Sequence, residues 1–447
     1  MKVYLDTIGC RLNQSEIESM ARQFRAAGHE IVAFAQEADM AVVNTCAVTS
    51  GAASDSRGKI RQIARAGVDE IIATGCWVTL QPDEAKNLPN VLRVVPNGQK
   101  DQLVAQSSAV SHQRSAISYQ RSAVSDQQSA VSVQPSDTKP FDLEPLAREP
   151  LPGLHHRTRA FIKAQDGCDN HCTFCITTVA RGAGRSRPMA DVISDIQSAL
   201  AGGSKEIVLT GVHLGSWGYD FGMHLRDLIR TILDETDAPR LRLSSLEPWD
   251  LDEDFFSLWE DARLCPHLHL PLQSGCAETL KRMARKTTPE SFRDLVTAAR
   301  QIMPEAAITT DVIAGFPGET EDEFAESLAF VKEMEFAGGH GFSYSVRPGT
   351  GAARMKGQIR TQVRKERNAI YRAAFEESAK AYRQKFAGRT LSVLWESAAQ
   401  YDERGWQMGG LTGNYLRVEA IAPHPMWNEI SAVELGSDGI RGVISLA

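Results

Sequence analysis

Short apolar runs alternate with amphipathic helical patterns over residues 1 to about 100. The apolar runs VYLDTIGC, DMAVVNTC and EIIATGC predict three strands, and the intervening segments SEIESMARQFRAAG and SDSRGKIRQIARAG predict two helices. Strand and helix in alternation imply parallel pairing, because a crossover helix returns the chain to the same end of the sheet. We therefore expect an open parallel α/β sheet in this part of the chain.

A second and longer alternation begins at about residue 155. Six strands are predicted, namely RAFIKAQ, KEIVLTGV, RLRLSSLEP, HLHLPLQS, AAITTDVIAGF and HGFSYSV. The helical patterns between them are MADVISDIQSALAG, LRDLIRTILDE, DEDFFSLWEDA, AETLKRMA with PESFRDLVTAARQI, and EDEFAESLAFVKEM. Six strand-helix units are fewer than the eight of a closed barrel. The pattern predicts an open-sided partial (β/α)6 barrel.

The two alternations are separated by residues 107–134, four heptads in which serine and glutamine dominate. Their apolar residues are adjacent pairs such as Ala-Val, without the second large apolar position of a coiled coil, so we expect a mostly disordered low-complexity insertion. After Gly388 the short strands TLSVLWES, GWQMGGLTGNYLRVEA and IRGVISL predict a small all-β barrel. The predicted domains are an N-terminal domain (1–100), repeat and linker (101–153), partial barrel (154–385) and β-barrel (386–447).

Composition changes this picture in three respects. The chain has 447 residues and a net charge of −7, which excludes a uniformly basic nucleic-acid-binding protein. Locally, however, residues 354–389 carry eleven Lys or Arg against three acidic residues, an excess that suggests a polyanionic partner. Apolar runs are too short for a membrane span, and Asp6 interrupts the N-terminus too early for a signal peptide. Together with eight cysteines, this predicts a cytoplasmic protein without a membrane partner.

Three cysteines, Cys168, Cys172 and Cys175, lie within eight residues at the spacing C-x3-C-x2-C. A four-iron cluster held by three thiolates leaves one iron open to bind a substrate. The alternative is a structural zinc ion, which needs four ligands. His171 is the nearest fourth ligand, but its position directly beside Cys172 is cramped. The spacing therefore favours an iron-sulfur cluster over zinc.

Cys10, Cys46 and Cys76 each stand at the carboxyl end of a predicted strand. In a parallel sheet these ends share one edge, where ligands bind. Alternatively, each could be a small buried hydrophobic residue. Equivalent positions in successive strand-helix units favour a second three-cysteine cluster. Cys265 and Cys276 fit no ligand spacing and are expected to be free thiols.

The C-x3-C-x2-C segment, with the aromatic Phe174 before its last cysteine, resembles that of the radical S-adenosylmethionine enzymes. Apart from the insertion, the whole chain resembles the methylthiotransferase family of these enzymes, which combines an N-terminal cysteine domain, a partial barrel and a C-terminal TRAM domain. The pattern is most similar to the subfamily that modifies threonylcarbamoyladenosine in tRNA. It consists of TIGCRLNQSE, NTCAVTSGAASDSRGKIR, ATGC, QDGCDNHCTFC, ARGAGRSRP, EIVLTGVHLGSWGYD, RLSSLEP, HLPLQSG, DVIAGFPGETEDEF, FSYSVRPGT and GNYLRV.

The resemblance implies two 4Fe-4S clusters and S-adenosyl-L-methionine. Cys168, Cys172 and Cys175 would hold the cluster that generates the radical, and Cys10, Cys46 and Cys76 an auxiliary cluster. S-adenosylmethionine contacts are expected in polar, glycine-rich loops after the barrel strands, from Phe174, Gly211, Ser245, Glu247, Gln273, Ile313 and Gly315.

The implied reaction attaches a methylthio group to C2 of N6-threonylcarbamoyladenosine. The anticodon arm of tRNA would be held by the TRAM domain and the basic helix. A low-potential electron donor and a sulfur source are implied as further partners.

Four alternatives stay open. The nucleoside could be isopentenyladenosine, or the substrate could be a ribosomal-protein aspartate. The auxiliary cluster could relay electrons instead of donating sulfur. The chain could also be a non-enzymatic zinc-containing RNA-binding protein.

Overall fold

The computed structural model describes residues 1–107, 158–402 and 405–444. The predicted insertion and linker therefore lie outside the described residues from residue 108 onward. The described chain forms two compact units, one of residues 1–7, 17–45 and 55–107, the other of residues 8–16, 46–54 and those from 158 onward. Within the described ranges, no helix has both the length and the apolar content to cross a membrane.

The first unit is built on a five-stranded parallel sheet of order β2-β1-β3-β4-β5. The strands are β1 (Lys2–Thr7), β2 (Glu30–Val32), β3 (Met40–Thr45), β4 (Glu70–Gly75) and β5 (Val91–Val95). The helices are α1 (Arg11–Ala26), α2 (Ser50–Arg65), α3 (Cys76–Leu80) and α4 (Pro82–Lys86). The predicted parallel sheet is confirmed, with β2 and β5 as additional short edge strands. Its apolar core includes Val3, Leu5, Phe24 and Val42.

The second unit contains the partial barrel, whose six predicted strands are all confirmed. They are β6 (Arg159–Lys163), β9 (Glu206–Thr210), β10 (Arg240–Leu243), β11 (His267–His269), β12 (Ala307–Ala314) and β13 (Gly338–Ser343). The short strands β7 (Gln165–Asp166) and β8 (Arg185–Ser186) pair with each other. The sheets β10-β9-β6 and β11-β12-β13 are joined by single bridges, Leu241 to Leu264 and Ser245 to His269. Within the described residues, the two end strands β6 and β13 do not pair with each other, so the barrel is open on one side.

The helices of this unit are α5 (Thr177–Arg181), α6 (Met189–Ala201), α7 (Leu225–Glu235), α8 (Ala277–Arg282), α9 (Pro289–Ile302), α10 (Glu321–Glu333) and α11 (Thr361–Gln384). Five of them, α6, α7, α9, α10 and α11, pack on the outer face of the strands and share one apolar core with them. Alternate strand residues, such as Ile207, Leu209, Leu241 and Leu243, point into the core beneath the helices. The remaining strand side chains face the inside of the barrel.

One predicted helix differs in type. The segment DEDFFSLWEDA forms a 3-10 helix over Glu253–Glu260 rather than an α-helix. The Asp252 side chain accepts a hydrogen bond from the backbone N–H of Phe255, three residues on. Trp259 packs against both Phe255 and Phe256, with ring centroids 5.9 Å and 6.3 Å apart. The sequence pattern thus located the helix but not its type.

The predicted small all-β module is a closed five-stranded barrel of order β14-β15-β16-β18-β17. The strands are β14 (Thr390–Asp402), β15 (Gly405–Thr412), β16 (Arg417–Ala422), β17 (Ile430–Leu435) and β18 (Arg441–Ile444). The segment GWQMGGLTGNYLRVEA is two strands with a turn between Thr412 and Leu416, and β17 was not anticipated. The barrel is consistent with a TRAM domain.

Buried arginines of strand β10 attach this barrel to the partial barrel. Arg240 donates a hydrogen bond of 2.9 Å to the carbonyl of Leu411, and Arg242 one of 3.0 Å to the carbonyl of Gly413. Arg242 also pairs with Glu206, whose Oε1 lies 2.6 Å from Nε. Burial acts to raise the pKa of Glu206, but Arg242 outweighs it and holds the pKa below its usual range. The ion pair fixes Arg242 so that it can bind the barrel backbone.

Candidate active site at the carboxyl ends of the barrel strands

The loop of Cys168, Cys172 and Cys175 follows β7 and is held by backbone hydrogen bonds. The N–H of Cys168 donates to Gly182 at 3.0 Å, and the N–H of Cys175 donates to Cys172 at 3.0 Å, which closes a tight turn. Thr173 donates from its N–H to Met283 at 3.0 Å. All three cysteines are half-buried. The structure thus presents the predicted triad on one docked loop.

An arginine from a distant part of the chain contacts this triad. Arg285 places Nη1 3.8 Å from the Sγ of Cys172 and donates from Nη2 to Glu247 Oε2 at 2.7 Å. Its guanidinium lies over the ring of Trp249 at 4.4 Å. Burial raises the pKa of the Cys172 thiol, and the charge of Arg285 opposes this shift. Arg285 therefore supports the thiolate form, which is the form that binds iron.

A histidine lies on the other side of the loop, near Cys168. His213 Nε2 is 2.5 Å from Asp250 Oδ2, and Nδ1 is 3.3 Å from the side-chain amide of Asn170. The backbone N–H of Asn170 donates to the Sγ of Cys168 at 3.4 Å. Burial acts to lower the pKa of His213, but hydrogen bonds to Asp250 and Cys168 raise it to about 10. Two of the three sulfurs thus have N–H donors beside them.

The donor set fits an iron-sulfur cluster. Three thiols on one loop, two with hydrogen-bond donors at sulfur, match the ligand set that a 4Fe-4S cluster with one open iron would need. A single zinc ion would require ligands that converge on one point. Throughout the described ranges, no group of three or more His, Cys, Asp or Glu side chains is arranged to hold one metal ion. Cluster thiolates each bind a different iron, and three thiolates with one open iron are what such a cluster uses.

The predicted cofactor contacts lie at the carboxyl ends of the barrel strands or in the cysteine loop. Phe174 and Ile313 pack against one apolar cluster that includes Met283 and Phe316. Ser245 is exposed, whereas Glu247 is half-buried and already bound by Arg285. Gln273 has a positive φ of 71°, and its backbone bonds to β12 on both sides. The contacts to S-adenosylmethionine themselves stay a prediction.

The two predicted cofactor glycines have packing reasons to be glycine. A Cβ on Gly211 would lie 3.1 Å from the Gln165 side chain. Gly315 has φ +72°, and a Cβ there would lie 2.3 Å from Cγ of Arg364. Its N–H already donates to Glu319 Oε2 at 2.8 Å. A side chain at either position would therefore crowd a neighbouring residue, and the predicted cofactor contacts of both glycines stay predictions.

Cys10 and Cys46 belong to segments of the second unit and lie close together. A Cβ on Gly9, next to Cys10, would be 2.8 Å from the Sγ of Cys46. Gly9 has φ +114°, which favours glycine by itself. The Sγ of Cys10 lies 3.9 Å from Asn13 Oδ1. Arg347 donates to the carbonyl of Ala47, directly after Cys46.

A buried arginine ties the Cys10 segment to the cysteine loop. Arg181, on α5, donates from Nη2 to Asn13 at 2.7 Å and from Nη1 to Glu16 at 2.9 Å and Asp166 at 2.8 Å. Burial acts to raise the pKa of Asp166, but Arg181 and Lys163 outweigh it and hold it below its usual range. This network places Cys10 relative to the strand that leads into the triad.

Cys76 belongs to the first unit and begins α3 directly after β4. Asn97 donates from Nδ2 to its Sγ at 3.6 Å. The preceding Gly75 has φ +102°, and a Cβ there would lie 2.3 Å from the Thr45 carbonyl oxygen. The ends of β3 and β4 therefore pack so closely that only glycine fits before Cys76.

The two remaining cysteines, Cys265 and Cys276, are buried free thiols as predicted. Burial raises the pKa of Cys265 to about 11 and also raises that of Cys276. Both are poor nucleophiles and poor metal ligands in this state.

The basic segment is only partly available to a polyanion. Arg367 is buried and pairs with Glu319 and Glu321, both at 2.7 Å, so it serves the fold. Arg389 pairs with Glu305 at 2.7 Å. Exposed basic residues nevertheless dominate, namely Arg354, Lys356, Arg360, Lys365, Arg372, Lys380, Lys385 and Arg389.

Sequence reasoning missed the polar residues that surround the cysteines. Arg285 is 113 residues from Cys172, and Asp250 is 37 from His213, so no local pattern connects them. Arg181 could have been found from the sequence, because it lies only six residues after Cys175 and within ARGAGRSRP, one of the segments that carry the family resemblance.

Two family models match the chain. Residues 2–96 match a family described as "Uncharacterized protein family UPF0004", and residues 162–331 match the radical SAM superfamily. Among solved structures, the radical S-adenosylmethionine methyltransferase TsrM from Kitasatospora setae superposes with a TM-score of 0.55 at 17% identity, over 78% of this chain and 73% of that chain. At this identity the match shows a shared fold.

Relatives of nearly equal length are more informative. The threonylcarbamoyladenosine tRNA methylthiotransferase MtaB of Bacillus subtilis is 35% identical, over 97% of this chain and 93% of that protein. Its namesake from Thermotoga maritima is 34% identical, over 99% and 96%. A tRNA-2-methylthio-N(6)-dimethylallyladenosine synthase from Bacillus pumilus is 31% identical, over 97% and 83%.

Proposed function

The chain belongs to the methylthiotransferase family of radical S-adenosylmethionine enzymes, and from this premise we propose that it methylthiolates C2 of N6-threonylcarbamoyladenosine in tRNA. It is an enzyme, and the enzymes of this family use S-adenosyl-L-methionine and 4Fe-4S clusters. The observation that carries the choice of nucleoside is the 35% and 34% identity, over nearly the whole chain, to two relatives named for that nucleoside. The relative named for dimethylallyladenosine is 31% identical.

Cys168, Cys172 and Cys175 would hold the radical-generating cluster. Arg285 and the Asn170 N–H donate toward two of these sulfurs, and Asp250 and Glu247 hold His213 and Arg285 in place. With its cofactors bound, such a centre supplies one-electron cleavage of S-adenosylmethionine, which activates an otherwise unreactive aromatic C–H bond. Phe174, Gly211, Ser245, Glu247, Gln273, Ile313 and Gly315 are the proposed contacts to that cofactor.

Cys10, Cys46 and Cys76 would hold the auxiliary cluster. Support comes from strand order, since β1, β3 and β4 are adjacent and each of these cysteines follows the end of one of them. The second support is the closeness of Gly9 to the Sγ of Cys46. A low-potential electron donor and a sulfur source would complete the reaction.

Substrate binding would be divided among the domains. Residues 1–100 would carry the auxiliary cluster, and residues 154–385 would carry out the radical chemistry. Residues 386–447 would bind the RNA. The segment 354–389, with its exposed lysines and arginines, directly precedes the β-barrel in the chain. Together, this segment and the barrel would hold the anticodon arm through its phosphates. Since the substrate is tRNA, we place the reaction in the cytoplasm.

Mass spectrometry of nucleosides tests this proposal. The tRNA is incubated anaerobically with reconstituted protein, S-adenosylmethionine and a reductant, and the Cys276→Ser variant serves as a control cysteine substitution. The expected result is a methylthio product that appears as threonylcarbamoyladenosine disappears.

Two other results would contradict it. Conversion of isopentenyladenosine alone would keep the family but overturn the nucleoside. Release of 5'-deoxyadenosine without any modified nucleoside would point to a protein substrate such as the ribosomal-protein aspartate.

A further inference from the structure

A polar and aromatic patch lines the inner face of β11, β12 and β13. In the pairing of β12 with β13, Asp311 stands opposite His340 and Ile313 opposite Phe342. Paired residues of neighbouring strands point to the same face of a sheet. Val312 and Ala314 point the other way, into the core beneath the helices. The patch therefore faces the inside of the open barrel.

The carboxylate of Asp311 has one oxygen bound and one without a partner. His269 places Nε2 3.3 Å from Asp311 Oδ2, and its Nδ1 lies 3.0 Å from Thr309 Oγ1. The other oxygen, Oδ1, is shielded from solvent and has no hydrogen-bond partner among the described residues. A shielded carboxylate oxygen without a donor is unfavourable. A ligand with an N–H or O–H group would satisfy it.

Phe342 offers an aromatic surface on the same face as Asp311, two residues further along the paired strands. Its side chain is 42% exposed, although most phenylalanines of the barrel are buried. It lies on β13, which among the described strands pairs only with β12 and so borders the open side of the barrel. Unstacked bases of single-stranded RNA stack on exposed aromatic rings of this kind.

The patch adjoins the cysteine loop. Ile313, opposite Phe342, packs against the same apolar cluster as Phe174 of that loop. Asp311 lies two residues earlier on the same face, which is about 7 Å deeper along the strand. A nucleoside bound here would lie just below the site proposed for S-adenosylmethionine.

We propose that this patch binds the target nucleoside, with the base stacked on Phe342 and Asp311 Oδ1 accepting a hydrogen bond from an N–H of the carbamoyl substituent. His269 is a positioning residue that fixes the Asp311 carboxylate. The inference rests on the proposed function and deepens it, because it names the residues that distinguish the two nucleosides. A dimethylallyl substituent is a hydrocarbon and offers Asp311 no donor of its own.

The test compares two tRNAs that differ only in the N6 substituent of the target adenosine, threonylcarbamoyl or dimethylallyl. A site built around a hydrogen bond rejects the analogue that lacks it, by about 10⁴-fold in kcat/KM. We expect Asp311→Ala to lower kcat/KM for the threonylcarbamoyl substrate about 100-fold and to reduce the ratio between the substrates by a similar factor. Asp311→Asn should be intermediate, since its amide oxygen can still accept.

Phe342→Leu should lower kcat/KM for both substrates about tenfold without changing their ratio. Phe342→Trp, which keeps an aromatic ring, should keep kcat/KM close to the wild-type value. Phe34→Leu, at an exposed phenylalanine of the first unit, is the matched control. Iron content and affinity for S-adenosylmethionine, measured for every variant, report a folding defect separately.

An unchanged substrate ratio in Asp311→Ala, with wild-type protein active on the threonylcarbamoyl substrate, would overturn this inference and leave the proposed function intact. This holds even if Asp311→Ala loses activity, because an equal loss on both substrates would mean that Asp311 does not recognise the carbamoyl group. Wild-type protein that converts only the dimethylallyl substrate, or neither, would overturn the proposed function and the inference together.

Discussion

The two cysteine sets are built in opposite ways. Cys168, Cys172 and Cys175 share one loop whose turns and backbone hydrogen bonds bring them together. Cys10, Cys46 and Cys76 each follow the end of a different strand, so the auxiliary cluster proposed for them would depend on the order of those strands. The first set needs local geometry and one docked loop, whereas the second needs a complete sheet. We therefore expect that a substitution can remove the cluster of one set without removing that of the other, and that the structural causes differ.

Removal of single ligands gives the largest contrast. Cys172→Ala should abolish cleavage of S-adenosylmethionine, a loss of at least about 1,000-fold. Without one of its three thiolates the cluster is not held, and no open iron is available to bind S-adenosylmethionine. Cys46→Ala should still release 5'-deoxyadenosine but yield no methylthio nucleoside. Both products are measured by mass spectrometry. Slower 5'-deoxyadenosine release in Cys46→Ala would instead support an auxiliary cluster that relays electrons.

Glycine substitutions test the structural side of the contrast. Gly75→Ala forces a Cβ to within 2.3 Å of the Thr45 carbonyl at φ +102°, and should cost roughly 3 kcal/mol of unfolding free energy. It should also lower iron content by about half, through the auxiliary set alone. Gly167→Ala, with a Cβ 1.9 Å from the Ala183 carbonyl, should instead remove the radical cluster.

Gly67→Ala is the matched control for the backbone strain. Gly67 has φ +93° but open space around it, so its substitution should cost only about 1–2 kcal/mol and leave iron content unchanged. Thermal unfolding and iron analysis measure both effects. Equal iron loss in all three variants would show that the two sets do not fail separately.

Arginines beside each set should have a smaller effect. Arg285→Gln removes a positive charge 3.8 Å from the Cys172 sulfur, and should lower the midpoint potential of the radical cluster. The rate of S-adenosylmethionine cleavage should fall about tenfold. Arg285→Lys should retain part of both. A redox titration followed by electron paramagnetic resonance measures the potential.

Arg347→Gln is the counterpart for the other set. Its guanidinium binds the backbone after Cys46, so the substitution should lower auxiliary iron and leave the potential of the radical cluster unchanged. A change in that potential in Arg347→Gln would argue against two independent sites.

Substitutions in the RNA-binding region should leave both sets loaded. The triple variant Lys365→Ala, Arg372→Ala and Lys380→Ala should weaken tRNA binding several-fold and reduce its salt dependence, with the slope falling by about one for each phosphate that is no longer bound. Arg293→Ala on α9, where the arginine pairs with Glu333, is the control. Binding measured at several salt concentrations gives the slope, and an unchanged slope would remove α11 from the RNA interface.

The three loop cysteines could be grouped from the sequence because they lie within eight residues. The parallel sheet, the partial barrel and the small β-barrel also followed from the pattern of apolar runs. The order of the strands in the sheet did not follow from it, and neither did β2, a three-residue strand, or the 3-10 geometry of Glu253–Glu260.

The surroundings of the site were not predictable for a different reason. Arg285, Asp250 and Asp311 reach their partners through tertiary packing, across separations that local patterns do not record. Arg367 was counted in the basic segment, but only the structure shows that Glu319 neutralises it inside the protein. The side chains of Gln165 and Arg364, which pack against Gly211 and Gly315, were likewise not visible in the sequence.

The attachment of the β-barrel to strand β10 has a consequence for how a target is chosen. Arg240 and Arg242 donate to backbone carbonyls of the barrel, and Arg242 forms a buried ion pair with Glu206, so these contacts hold the barrel against strand β10. If the barrel binds RNA as proposed, the bound RNA would be held at a defined distance from the cysteine loop. The position of a nucleotide along the RNA would then contribute to its selection, in addition to its chemistry.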